Sequence, residues 1–243
     1  MDIRLALMAG SDIPIPECRL ILHQPTIKEI SFLGEDDFFV GVQCLCLNKT
    51  MFVEDKDALS KVTNFQIFMT MMKEKETADK KICVQQVLAL LFPKYNVLFT
   101  PRGMIFQGGE GDAPMVDSDE NFEALQNVIR TIFCANTGPM DQQAFNPVDD
   151  KAREIAQKLM RGRQRVAAQN GGGNQSTFSR YLSILTVGLD SMSLHDLIGC
   201  TMFQLYDLLE RYTLYTNWDL NIRTRLAGGK PDSQPEDWMK NIH

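Results

Sequence analysis

Three helix starts are marked clearly along this sequence, and they limit what the chain can fold into more than any other feature. Residues 26–29 and 201–204 have the capping-box pattern, Thr-x-x-Glu and Thr-x-x-Gln. In this pattern the threonine oxygen accepts a hydrogen bond from a backbone N–H three residues on, and the acid or amide side chain returns to the first N–H. Ser193 and Asp196 open a third helix in the same way. The chain is therefore expected to be mostly helical.

Further helices are predicted where apolar residues recur at helical spacing behind other start signals. The clearest apolar stripe follows Ser118 and consists of Phe122, Leu125, Ile129 and Ile132. The longer helix that starts at Thr201 is expected to end before a separate helix over 219–226. The predicted ranges are 62–72, 77–92, 118–136, 176–187 and 219–226, with a last short helix over 235–240.

Two β-hairpins are predicted in the N-terminal half. Residues 3–8 and 18–23 are short strand-like runs, and the glycine, aspartate and prolines between them are typical of turns and edge strands. Residues 96–100 and 103–107 form a second such pair. The segment 38–47 is compatible with a helix or a buried strand, because its apolar run has no decisive period. The expected fold class is α+β and predominantly helical, with N-terminal β-hairpins packed on helices, followed by a helical C-terminal part.

Composition changes near Pro147 and again at a glycine triplet, residues 171–173. Between residues 151 and 165 an expected helix carries six basic residues and a single acid, Glu154. The triplet is flanked by Asn170 and Asn174, a pattern typical of a linker. The expected division is an α+β N-terminal domain over 1–146, a basic helix over 147–170, a Gly/Asn linker over 171–175 and a helical C-terminal domain over 176–243.

The charge and the apolar runs exclude some classes of function. The chain has 25 Lys and Arg against 31 Asp and Glu, a formal net charge of −6, which argues against a general binder of polyanions. No uncharged apolar stretch reaches the roughly 20 residues that a bilayer requires, so no membrane span is expected. The first residues lack the apolar core of a signal peptide. The expected location is the cytoplasm, where the six cysteines stay reduced.

The residue types that carry catalysis or bind metals do not form a recognised pattern. The three histidines are His23, His195 and His243, and none belongs to a metal-binding or His-centred catalytic motif. Cys44 and Cys46 are the closest pair of thiols, but a zinc site usually needs a second pair, so core packing is the preferred interpretation. No catalytic residue, cofactor or metal is expected, and the protein is predicted not to be an enzyme.

Residues suited to a protein interface stand mainly in the last third of the chain. Methionine adapts to irregular surfaces, and the chain has 13 of them. Trp is frequent in both cores and interface hot spots, so Trp238 is either an anchor for the tail or an intermolecular contact. Arg161 and Arg165 belong to the expected basic helix. Their face of that helix is expected to be solvated or to contact a protein, and nucleic-acid binding is a less favoured alternative. The candidate partner-contact residues are Trp218, Trp238, Met239, Arg161 and Arg165.

Five segments of the sequence resemble proteins from the tail gene clusters of phages that infect Gram-positive bacteria. Together they reach from the first quarter of the chain to its last residues, and the group that they resemble most is the tail assembly chaperones. The segments are 22–30 (LHQPTIKEI), 121–129 (NFEALQNVI), 179–185 (SRYLSIL), 201–211 (TMFQLYDLLER) and 238–243 (WMKNIH).

The resemblance implies a non-enzymatic protein that coats the tape-measure protein, helps to recruit tail-tube subunits and is absent from the finished virion. It would act in the cytoplasm of the bacterial host, and self-association along the tape-measure protein is part of the same hypothesis. Two alternatives remain. One is a structural tail or neck component retained in the virion. The other is a nucleic-acid-binding module that uses the basic residues 151–165.

Overall fold

In the computed structural model of the protein, the described residues are 2–49, 62–74, 76–108, 113–133, 176–229 and 237–239. The basic helix expected over 147–170, the linker expected over 171–175, and the candidate residues Arg161 and Arg165 lie outside them. The division into domains therefore stays a prediction.

The described helices are α1 (Ile3–Ala9), α2 (Ile27–Leu33), α3 (Glu35–Leu45), α4 (Asn64–Lys73), α5 (Ala78–Leu91), α6 (Asp119–Ile132), α7 (Thr177–Gly188), α8 (Leu194–Ile198) and α9 (Met202–Leu226). The strands are β1 (Ile13–Ile15), β2 (Leu20–Leu22), β3 (Asn96–Thr100), β4 (Gly103–Gln107) and β5 (Met115–Val116). β1 pairs with β2, and β3, β4 and β5 form an antiparallel sheet in that order. The predicted α+β, predominantly helical fold class is confirmed.

The first predicted strand, over residues 3–8, is wrong: this segment is the helix α1. The Asp2 side chain accepts hydrogen bonds from the backbone N–H groups of Arg4 and Leu5, at 3.0 and 3.2 Å, and so caps the helix. Gly10 ends it in the left-handed conformation, with φ 65°. The hairpin exists, but it joins β1 to β2 through a short 3-10 helix, Pro16–Cys18.

The ambiguous segment after Gly34 is a helix, α3. Three acids occupy its first turn, where the helix dipole favours negative charge. One face of α3 packs closely against α5, and Gly41 stands at the closest approach, near Val87 and the carbonyl of Cys83. The second hairpin is confirmed, and its pairing places Val97 opposite Phe106. Strand β5 was not predicted because two residues are too short to produce a pattern.

The capped helices of the C-terminal part are confirmed, but the break predicted before residue 219 is wrong. α9 runs without interruption for 25 residues, because no Gly or Pro stands inside it to stop it. Its end is marked by Gly228, which has φ 82°. Most of the helix predicted over 235–240 lies outside the described residues, and Asp237–Met239 form a turn.

The buried core is continuous between the N-terminal and C-terminal parts of the chain. Phe178, Leu197 and Leu205 belong to the same cluster of buried residues as Phe38 and Phe122. The Ile27 N–H donates to the Cys200 carbonyl at 2.9 Å, beside a bridge between Thr26 and Thr201. None of the described helices combines the length and the apolar character needed to cross a membrane.

Candidate partner-binding surface

The helix α9 changes character along its length. At 1.5 Å per residue it is about 37 Å long. Its buried residues, Met202, Phe203, Leu205 and Asp207, all stand at its N-terminal end. Towards the other end, Leu220 is 62% exposed and Leu226 is 83% exposed. We call residues 213–226 the arm.

The described contacts that hold α9 to the rest of the fold lie before the arm. The Gln204 amide donates to the Met8 carbonyl at 2.7 Å, and the Tyr206 ring lies 5.8 Å from the Tyr181 ring of α7. Gly188, the last residue of α7, lets that helix end directly against the Tyr212 ring, because a Cβ at this position would overlap the ring. α9 therefore continues past the point where α7 stops.

An aromatic cluster lies on the arm. The Tyr215 ring centroid is 6.2 Å from that of Trp218 and 5.4 Å from that of Trp238, and the two tryptophan rings are 6.4 Å apart. The Arg211 guanidinium donates to the Trp238 carbonyl at 2.5 Å and so ties the tail turn to α9. Both tryptophans are partly buried, whereas Met239 beside them is 69% exposed.

The structure thus brings three of the predicted partner-contact residues, Trp218, Trp238 and Met239, to one place. Whether they contact a partner stays a prediction. Sequence reasoning missed Tyr215 and Arg211 as members of this group. Tyr215 follows Tyr212 by three residues, so the apolar stripe seen up to Tyr212 in the sequence could have been extended to it.

A second feature is the junction at which the N-terminal part holds α7. The Glu35 carboxylate of α3 accepts hydrogen bonds from the N–H groups of Thr177, at 2.8 Å, and Phe178, at 3.2 Å, and from the Ser176 hydroxyl. A carboxylate at this position satisfies helix N–H groups that lack partners within the helix. Beside it lies a cavity of about 300 Å³, lined by apolar side chains that include Ile27, Phe178 and Leu182, with Lys28 and three serines among its polar lining.

Replacing Glu35 with alanine is expected to lower the free energy of unfolding by about 1–2 kcal/mol, because α7 loses a cap from a distant part of the chain. Urea denaturation followed by circular dichroism measures this change. The control is Glu120→Ala, which removes an exposed acid from the first turn of α6 and should cost only a few tenths of a kcal/mol. Equal effects of the two substitutions would contradict this role of Glu35.

A cluster of ionisable groups surrounds His23, and no sequence motif predicted it. His23 Nδ1 lies 3.1 Å from Asp12 Oδ1, and Nε2 lies 3.4 Å from Glu29 Oε1. Glu29 also completes the capping box of α2, where its Oε2 accepts hydrogen bonds from the backbone and hydroxyl of Thr26, both at 2.8 Å. Since each ring nitrogen already faces a carboxylate, the cluster serves as a clamp between the end of β2 and the first turn of α2.

The Glu29 clamp predicts a loss of stability in acid. Burial acts to raise the pKa of Glu29, but hydrogen bonds from Thr26 and the proximity of His23 outweigh it and hold the pKa below its ordinary value of 4.5. A carboxylate with a lowered folded-state pKa stabilises the fold above the unfolded-state pKa, and this stabilisation is lost as pH falls through the folded-state pKa. We expect the melting temperature to fall below about pH 4.5, and to fall less in Glu29→Gln, which keeps an acceptor at the capping-box position. An identical acid profile in both proteins would contradict this prediction.

The described thiols are placed unfavourably for chemistry at neutral pH. Burial raises the pKa of Cys18 to about 11 and that of Cys46 to about 12, and it also raises the pKa values of Cys44, Cys83 and Cys200. A protonated thiol is a poor nucleophile and a poor metal ligand. Cys44 and Cys46 lie partly buried against the core, which agrees with their interpretation as packing residues. Among the described residues, no three His, Cys, Asp or Glu side chains converge as metal ligands.

One comparison with known proteins finds a similarity over the last third of the chain. Residues 170–243 match the family model described as the second domain of YomV. YomV is a protein of a Bacillus phage region, so the match supports a phage protein. The YomV-like part includes α7, α8, α9, the arm and the aromatic cluster. No curated protein matches the chain. No solved structure matches it either.

Proposed function

We propose that this protein is a non-enzymatic tail assembly chaperone of a phage, which coats the tape-measure protein and helps to recruit tail-tube subunits. It would work in the cytoplasm of the bacterial host and be absent from the mature virion. The observation that carries the proposal is the arm of α9, a helix with exposed apolar residues that extends past the helix packed against it. The match of this same part of the chain to a phage-associated family supports it.

The arm has the properties expected of a surface that binds another polypeptide. Leu220, Leu226 and Met239 are each more than half exposed, and the aromatic cluster lies beside them. An isolated helical segment of this length is only marginally stable in water, so it gains stability when a partner covers its apolar side. We expect the tape-measure protein to be a long helix-rich chain, which would aggregate if its apolar stripes were left bare.

Co-expression with the tape-measure protein tests the proposal directly. The partner to co-express would be the product of a very long reading frame next to the gene of this protein. We expect it to purify together with this protein and to become more soluble in its presence. A Tyr215→Ala/Leu226→Ala variant should retain less of it, whereas Phe32→Ala, which removes an 82% exposed ring on α2, serves as the control. No co-purification and no gain in solubility would refute the proposal.

The main competing function is a structural tail or neck component, and purified virions distinguish the two. A chaperone should be missing from mass spectra of the particles, whereas a structural component should be present in stoichiometric amounts. Detection of the protein at that level would replace the chaperone proposal with the structural one.

A further inference from the structure

We infer that neighbouring copies of this protein exchange their C-terminal helices, so that the helices of one copy dock on the N-terminal part of the next. The exchanged segment is residues 176–229, which contain α7, α8 and α9, and we call it the C-terminal unit. The inference deepens the proposed function and rests on it for its biological meaning, because it supplies a contact by which copies associate along a long partner.

The first argument is that the structure shows the docking surface with its occupant in place. The Glu35 carboxylate of α3 caps α7, and the Phe39 ring stacks on the Phe178 ring at 5.6 Å. The start of α2 forms a bridge with the start of α9, and the Met8 carbonyl of α1 accepts a hydrogen bond from Gln204. α1, α2 and α3 thus form the receiving surface. A second copy carries the identical surface, so the exchange needs no new complementarity.

The second argument is that the C-terminal unit is held together by contacts of its own. The Tyr181 ring of α7 lies 5.8 Å from the Tyr206 ring of α9, and Gly188 fits against Tyr212. α8 packs against α7. The three helices therefore keep their arrangement when the unit moves from one receiving surface to another.

The third argument is the length of the connection between the two parts. It consists of the 42 residues 134–175. Phe133 and Phe178, near its two ends, are linked by ring contacts of 5.2, 5.7 and 5.6 Å through the two phenylalanines of α3, so their rings are at most about 17 Å apart. A dozen extended residues cover about 40 Å. The connection is therefore far longer than docking within one copy requires.

The same length is enough to reach a neighbouring copy. A segment of 42 residues is about 63 Å long as a continuous helix and about 140 Å long when extended. A globular protein of 243 residues has a radius of gyration of only about 18 Å. Connections longer than about 15 residues are uncommon in compact folds, and they usually serve a function or join separate parts.

Concentration decides between docking within one copy and docking between copies, because the contacts are the same. A connection of this kind gives the C-terminal unit an effective concentration on the order of 1 mM at its own receiving surface. Dilute copies are therefore expected to be closed. Copies that bind side by side along one long partner exceed this concentration, and their units exchange.

Refolding the full chain at two concentrations tests the inference. A Glu35→Cys/Ser176→Cys variant is prepared in unlabelled and isotope-labelled forms, because the two side chains are in contact across the junction. The forms are mixed in urea, refolded and treated with a short bis-maleimide, and mass spectrometry identifies the linked peptides that contain positions 35 and 176. Only exchange links peptides of different isotope content. We expect such mixed pairs to be absent at about 10 µM and to form about a quarter of all pairs at about 1 mM.

The matched control shortens the connection. Replacing residues 134–175 with a Gly/Ser segment of about 12 residues still permits docking within one copy, and it raises the effective concentration there about sixfold, because this concentration falls with the 3/2 power of length. Mixed pairs at about 1 mM should therefore fall about fourfold. Thermal melting shows whether the shortened variant is folded. Light scattering of the refolded wild type requires no substitution, and it should show dimers and larger species only at the higher concentration.

The inference is overturned if mixed pairs are as rare at the higher concentration as at the lower one, or if the shortened variant forms them equally often. A wild type that stays monomeric at both concentrations would also overturn it. Its failure is distinct from that of the proposed function. Co-purification of the tape-measure protein without mixed pairs would refute the exchange and leave the chaperone role, whereas mixed pairs without co-purification would establish the exchange and refute that role.

Discussion

Replacing Gln126 with leucine is expected to lower the free energy of unfolding by about 3 kcal/mol, although the two side chains are similar in size. Gln126 is fully buried, and its amide donates to the carbonyls of Leu45, at 2.7 Å, and Leu47, at 3.1 Å. These carbonyls stand at the C-terminal end of α3, where a helix leaves its last acceptors without internal partners. Each buried acceptor left unpaired costs about 1–3 kcal/mol.

The same substitution also breaks a third hydrogen bond, because Gln126 Oε1 accepts one from Arg130 at 3.2 Å. The same nitrogen of Arg130 donates to the Cys46 carbonyl, at 3.2 Å, so the two side chains together cover the end of α3. Urea denaturation monitored by circular dichroism measures the effect. Glu123→Ala, an exposed change on the same helix, should stay within about 0.5 kcal/mol of the wild type. A loss below about 1 kcal/mol for Gln126→Leu would mean that water replaces the amide at this site.

Adding a methyl group at Gly41 is the second change with a large expected effect. A Cβ at this position would lie 2.5 Å from Val87 Cγ2 and 2.7 Å from the carbonyl oxygen of Cys83. The second contact is with backbone, so α3 and α5 must move apart. Overpacking of this kind costs about 1–3 kcal/mol or more, and the better helix propensity of alanine returns about 1 kcal/mol. We expect Gly41→Ala to destabilise the fold by about 2 kcal/mol.

Thermal melting measures the Gly41→Ala effect, and Gln43→Ala, an exposed change on the same helix, is its control. The double variant Gly41→Ala/Val87→Ala gives a further check. Val87→Ala removes one of the two close contacts but not the contact with the Cys83 carbonyl, so Gly41→Ala should cost nearly as much in the Val87→Ala background as in the wild type. If Gly41→Ala cost nothing in the Val87→Ala background, the side chain, and not the backbone, would set the distance between α3 and α5.

These two sites also indicate how the arm is supported. Gln126 and Gly41 fix α3 against α6 and α5, and Glu35 at the start of α3 caps α7. α7 in turn packs against α9 up to Tyr212. A change that loosens α3 should therefore affect the base of the arm, even though it lies far from it in sequence.

Several candidate residues could be found from the sequence, and others could not. Trp218 and Trp238 were selected because of their residue type, and the structure places them together with Met239. Trp238 contacts Tyr215, which is 23 positions away in the sequence, and Arg211, which is 27 positions away. No local pattern encodes contacts over such distances. The cluster of His23 with Asp12 and Glu29 was missed for the same reason.

The starts of α2, α8 and α9 could be predicted from the sequence, because a capping box is completed within four residues and does not depend on the rest of the fold. Three other features were not predicted: the conformation of residues 3–9, the continuity of α9 through residue 219 and the path of the tail. At residues 3–9 local preferences are nearly balanced, and burial of Ala6 and Leu7 favours the helix. The continuity of α9 has a local cause, the absence of Gly and Pro inside it, which the predicted break overlooked. Hydrogen bonds between near neighbours can therefore be predicted from the sequence. Apolar burial cannot, because it depends on which surfaces of the folded chain meet.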